Sequence, residues 1–88
     1  MAIIMATYDL RKPNYDYSDL YRYLKTFTYC WHIESVWLLD TDVSVGDIRD
    51  GMQAHIHEDT DKVFVAEIRR NWASFGFPCA SWLKERSW

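Results

Sequence analysis

Three glycines, two prolines and two cysteines are all that the 88-residue chain contains of these types. So few glycines exclude a glycine-rich phosphate loop, and no P-loop pattern occurs. Cys30 and Cys79 form no short metal or redox spacing, and a small secreted disulfide framework usually has more cysteines. They are expected to be buried or incidental thiols in a reducing cytoplasm. An excess of basic charge is also lacking: ten Lys+Arg against thirteen Asp+Glu give a formal net charge of −3. That argues against a main task of gripping a long nucleic-acid backbone, which needs a basic surface, but leaves local basic patches open. No apolar run approaches the roughly 20 residues of a membrane span. The start, Met1 to Met5, has no basic region ahead of its short apolar run, unlike a signal peptide. The expectation is a cytoplasmic protein with no membrane contact.

Apolar residues are plentiful. They make up 49% of the chain and include five Trp, six Tyr and four Phe. A chain this short forms one domain, here residues 1–88, and buries only roughly 60–65% of its unfolded surface. So many rings exceed what a small core holds, and a shared surface between two copies accounts for the surplus.

Ala2 to Tyr8 is apolar at nearly every position and ends at Asp9, as in a central strand covered on both faces. Leu10 to Tyr17 reads as a loop with a turn at Pro13-Asn14. Ser18 is placed to cap a first helix, with Asp19 in its first turn and Leu20, Tyr23, Leu24 and Phe27 at helical spacing, to about Thr26 or Phe27. Tyr29 to Leu39 is rich in β-formers and long for one strand, so a break is expected near Glu34-Ser35. Ser44 and Asp47 resemble a capping box for a second helix bearing Val45, Ile48, Met52 and Ile56 on one face. Gly51 inside that helix costs about 1 kcal/mol relative to Ala, which hints at close packing. Residues 57–62 form a polar connection, and Val63 to Ile68 a last strand. The tail, residues 69–88, has aromatics at Trp72, Phe75 and Phe77, and a short helix over about Ala80 to Glu85 that would turn Trp82 toward the body. The order is βαββαβ: an α+β, ferredoxin-like domain with an antiparallel sheet, helices on one face and the other face free for a partner. Its core covers about residues 1–68.

Asp9 is the first candidate for chemistry. A carboxylate at the end of a buried strand suits a metal or general-base role, or simply caps the strand. One carboxylate makes a poor Mg²⁺ site, but a two-fold dimer can bring Asp9 and its symmetry mate together. Arg11 and Lys12 either position phosphates or form a solvated loop; Arg69-Arg70 read as sheet-edge charges. His55, His57, Glu58, Asp59 and Asp61 match no zinc or calcium spacing and read as a charged helix end. Cys30-Trp31-His32 is one ligand pair without a second half.

With these residues in place, Met1 to about Ile68 resembles the CRISPR-associated protein two family, the small partner of the spacer integrase, and looks closest to its stand-alone SinR-like relatives. The resemblance rests on Tyr8-Asp9-Leu10 at the end of strand one and on Glu34-Ser35-Val36-Trp37, similar to a Ser-Val-Phe-like segment. It also rests on the capped helix from Ser44. The Trp72 and Trp82-Leu83-Lys84 tail looks typical of the SinR-like relatives. It implies a homodimer with two Asp9 residues facing across a cleft, where Asp9 binds Mg²⁺ or Mn²⁺ and supports phosphodiester hydrolysis of RNA or double-stranded DNA. Tyr8, Arg11, Ser35 and Trp37 become nucleic-acid-binding neighbours. This sequence departs from the family in carrying Asp16 and Asp19 where basic residues are common. Beside an endonuclease stand two alternatives: a non-catalytic adaptor for an integrase-like or other protein, and a toxin-type ribonuclease on the same fold.

Overall fold

β1 (Ala2–Asp9) is apolar from Ala2 to Ala6, where both of its faces are covered, and carries Thr7 and an exposed Asp9 toward its end. The computed structural model describes residues 2–88; Met1, the first residue of the span assigned to the domain, lies outside them. After β1 come α1 (Ser18–Leu24), β2 (Thr28–Ile33), β3 (Val36–Thr41), α2 (Val45–Gln53), β4 (Lys62–Ile68) and α3 (Cys79–Lys84). The four strands form one antiparallel sheet in the order β2-β3-β1-β4. This is the ferredoxin-like arrangement that the sequence order implied.

The break expected at Glu34-Ser35 is the two-residue turn between β2 and β3. The ladder shifts by one residue between Trp31 and Ile33, leaving His32 opposite no partner. Ser44 caps α2 as expected, its Oγ accepting from Asp47 N at 3.1 Å. Ser18 does not cap α1: it is the first helical residue, and its N–H donates to Asp16 Oδ1 at 2.9 Å. Asp16, two residues upstream, thus takes one of the orphan amides of the helix start, and the Ser18 hydroxyl takes none.

Alternation along the strands sorts side chains onto two faces. Ile4, Ala6, Tyr8, Trp37 and Leu39 face α1 and α2, packing with Leu20, Leu24, Ile48 and Met52. Trp31 stacks on Trp37 with ring centroids 4.0 Å apart, and Tyr21 lies beyond it, so several aromatic rings form one pile under the helices. Of the fifteen aromatic rings only Tyr8 and Trp37 are buried, and Tyr15, Tyr29, Phe64 and Phe75 are exposed, as expected of more rings than a small core holds.

The second face is not left free. Ile3 and Leu38 on that side pack with Cys79 and Leu83 of α3, flanked by Trp72, Phe77, Trp82 and Trp88. The tail thus completes the core instead of hanging from it. Cys79 and Leu83 are its buried anchors and Trp82 is only half-buried, because i and i+4 share one helix face. Arg86 adds an ion pair to Asp40 of β3 at 3.4 Å. The cysteines also differ from expectation: Cys30 of β2 and Cys79 of α3 form a disulfide across 49 residues of sequence. Two isolated cysteines carry no spacing signal, and only the folded tail brings them together.

The tail covers one end of the second face. The other end, where Thr7 lies between Val36 and Phe64 across the strands, stays largely open. Phe64 is 62% exposed and Ile33 48%.

Candidate metal and nucleic-acid site

Asp9 closes β1, opposite Lys62 of β4. By strand alternation its carboxylate follows Ile3, Met5 and Thr7 onto the second face, at the open end beside Phe64. Its Oδ2 accepts from Arg11 Nε at 2.9 Å, with both side chains at least half exposed. An exposed pair of this kind contributes about 0–1 kcal/mol, so Arg11 leaves Asp9 at little cost.

The loop that carries Arg11 is held from below by Asp61. This carboxylate is 6% exposed and accepts from Arg11 N at 2.7 Å, Tyr17 Oη at 2.6 Å, His57 N at 2.9 Å and Thr60 Oγ1 at 3.1 Å. Burial alone would raise its carboxyl; the four hydrogen bonds outweigh burial and bring its pKa down to about 2. The sequence groups Asp61 with the charged helix end, since nothing in its spacing to Arg11, fifty residues away, signals the clasp.

Tyr8 and Trp37 sit beneath the site. Tyr8 Oη donates to the Glu34 carbonyl and accepts from Trp37 Nε1 at 3.0 Å, and Tyr8 N donates to Ser35 O at 3.2 Å. Burial pushes the Tyr8 phenol well above its ordinary value, against the opposing Trp37 hydrogen bond. Trp37 is completely buried and Tyr8 nearly so. Neither offers a ring face on which a base can stack; together they fix the β2–β3 turn, with half-buried Ser35, against the end of β1. Of the five residues singled out in the sequence, the structure therefore places Asp9 and Arg11 at the surface together, and Tyr8, Ser35 and Trp37 behind them.

A hard cation such as Mg²⁺ takes carboxylate oxygens, and Asp9 supplies that donor type on an accessible strand end. Among the described residues of one chain, Asp9 belongs to no cluster of three ligating side chains; Cys30, His32 and Cys79 form the one such cluster found. Asp9 thus fits half of a carboxylate-pair site. His55, His57, Glu58 and Asp59 do not gather into a ligand set in the described residues either.

Comparison with solved structures finds the same fold in Streptococcus pyogenes Cas2, determined at pH 6.5, with a TM-score of 0.57, 23% identity, and coverage of 80% of this chain and 89% of that one. No protein-family model matches the chain, and no curated protein matches it in sequence. The likeness shows the fold: a ferredoxin-like domain of the kind seen in that Cas2. No helix of the described residues is long and apolar enough to cross a membrane.

Proposed function

We propose that the chain is a Cas2-like protein that works as a homodimer, with two Asp9 carboxylates meeting at the interface to form a divalent-metal site for phosphodiester hydrolysis. One observation carries this reading. Asp9 lies at the open end of the second face, near the exposed Phe64 and Ile33 and the half-buried Val36 that a second copy would cover. An isologous contact there doubles every residue it contains, Asp9 included.

The chain's own residues then divide the work. The paired Asp9 side chains hold the cation, Mg²⁺ or Mn²⁺. A cation so held supplies positive charge to a phosphate and acidifies a bound water. Arg11, freed from Asp9, is within one loop of the site and offers a guanidinium to a phosphate oxygen. Asp61 accepts from the Arg11 amide and Tyr17 Oη from the Lys12 amide, which holds the loop backbone so that only the Arg11 side chain moves. Tyr8, hydrogen-bonded at both lone pair and proton, keeps the strand end rigid.

The test is metal-dependent cleavage of RNA and of double-stranded DNA by purified protein. Wild type should cut one of them with Mg²⁺ or Mn²⁺, and Asp9→Ala should lose at least 100-fold of that rate. Equal cleavage by both would defeat the reading.

The acidic net charge and the tail favour a second reading, that of an adaptor. An apolar groove of about 550 Å³ runs between the sheet and the tail, lined by Met5, Leu38, Ile68, Trp72 and Phe77 among others. Phe75 beside it is fully exposed. A dimer without cleavage activity that binds an integrase-like subunit, and loses that binding in Phe75→Ala, would favour the adaptor.

A further inference from the structure

We infer that Cys30, Cys79 and His32 form a second, independent metal site, a thiolate–imidazole site for Zn²⁺ that replaces the disulfide when the chain is reduced. The sulfur atoms and a ring nitrogen of His32 all lie within 4.8 Å of one another. The three residues come from two elements: Cys30 and His32 flank Trp31 on the edge strand β2, and Cys79 opens α3. His32 is the residue that the β2–β3 register shift leaves unpaired, and its ring is exposed. Strand alternation puts the His32 side chain on the same face as Cys30, two residues earlier, and so beside Cys79.

The donor set determines the ion. Two thiolates and an imidazole suit Zn²⁺ and exclude Mg²⁺, whereas the carboxylate of Asp9 has the opposite preference. Tetrahedral Zn²⁺ with Zn–S bonds of about 2.3 Å needs its sulfurs about 3.8 Å apart. The Cα atoms of Cys30 and Cys79 are 6.0 Å apart, a separation that allows this spacing by side-chain rotation alone. Three protein ligands leave the fourth position to water, the pattern of an open site.

The exchange balances as follows. A dithiol reductant gives two electrons and two protons to the Cys30–Cys79 bond, becoming a cyclic disulfide and leaving two thiols. Zn²⁺ then displaces both thiol protons to solvent and takes the neutral His32 nitrogen. In either state β2 stays tied to α3, by a covalent bond or through the ion. The consequence is a tail that remains docked across a change of redox conditions, independently of what Asp9 does.

The experiment titrates Co²⁺, as a spectroscopic stand-in for Zn²⁺, into the full chain with and without prior reduction by a dithiol that is then removed. The reduced chain should bind one equivalent, with the thiolate charge-transfer band and intense visible bands of tetrahedral coordination, and Zn²⁺ should displace it. His32→Ala, at an exposed position, should weaken binding at the thiolate charge-transfer band at least tenfold. Three outcomes each overturn the inference: no uptake by the reduced chain, equal uptake by the oxidised chain, or equal affinity in His32→Ala.

Discussion

The indole N–H of Trp37 donates to the hydroxyl of Tyr8 at 3.0 Å, and that hydroxyl in turn donates a hydrogen bond to the carbonyl of Glu34. Trp31 Nε1 donates to the same carbonyl at 2.8 Å. One turn carbonyl is thus fixed by a tyrosine from the central strand and a tryptophan from the edge strand. The residue after Tyr8 is Asp9, so this lock sets where the candidate carboxylate stands.

Tyr8→Phe removes the hydroxyl and leaves the buried Trp37 N–H without its acceptor. The loss should be about 1–3 kcal/mol, read as a lower urea midpoint with an unchanged slope. The pH dependence adds a second readout. A phenol raised in the folded state keeps its proton there while the unfolded chain ionises near 10, so stability falls as pH rises beyond that value. The fall should be shallower in Tyr8→Phe than in wild type, the remaining slope coming from Tyr17, Tyr21 and Tyr23, whose phenols are raised too.

Asp61 predicts behaviour at the acid end. Its folded pKa of about 2 lies below the ordinary 3.8, so its contribution is present above pH 4 and is lost as pH falls toward 2. That contribution is about 1–2 kcal/mol after allowance for solvent screening. Asp61→Asn should lower stability at pH 7 by that amount and flatten the acid limb of the stability profile. It should also speed hydrogen exchange at the Arg11 amide, which Asp61 accepts from at 2.7 Å. An unchanged exchange rate would mean that the loop does not depend on the clasp.

Gly51 tests packing. A Cβ there would collide with the ring of Tyr23 on α1. Gly51→Ala gains about 1 kcal/mol of helix propensity, yet overpacking against an aromatic ring costs about 1–3 kcal/mol. Net destabilisation is expected, and Tyr23→Ala in the same background should restore the helix gain. A stabilised single variant would show that Tyr23 swings aside freely.

The sheet, both long helices and the turn at Glu34-Ser35 were legible because strand alternation, helical spacing and capping are local signals. The close approach at Gly51 was legible too, as a costly residue inside a helix. What was hidden depends on distant contacts. Nothing in the residues around Cys30 reveals Cys79, and nothing around Asp61 reveals Arg11. Trp37 read equally well as a site residue and as core, since an aromatic in a strand fits both, and its burial becomes apparent only once Tyr21 and Trp31 are stacked beside it. Asp9 was picked out because it abruptly ends an apolar run. Its carboxylate does lie on the open face, but a second carboxylate comes only from another chain.

The pairing of Asp9 across a dimer is tested most directly by counting Mn²⁺. A titration followed by the electron paramagnetic resonance of free Mn²⁺ should find one tight ion per two chains in wild type. Asp9→Asn should abolish that binding, as should Phe64→Asp, which places a charge on the open face and separates the copies. One ion per chain, or undiminished binding in Asp9→Asn, would contradict the paired site.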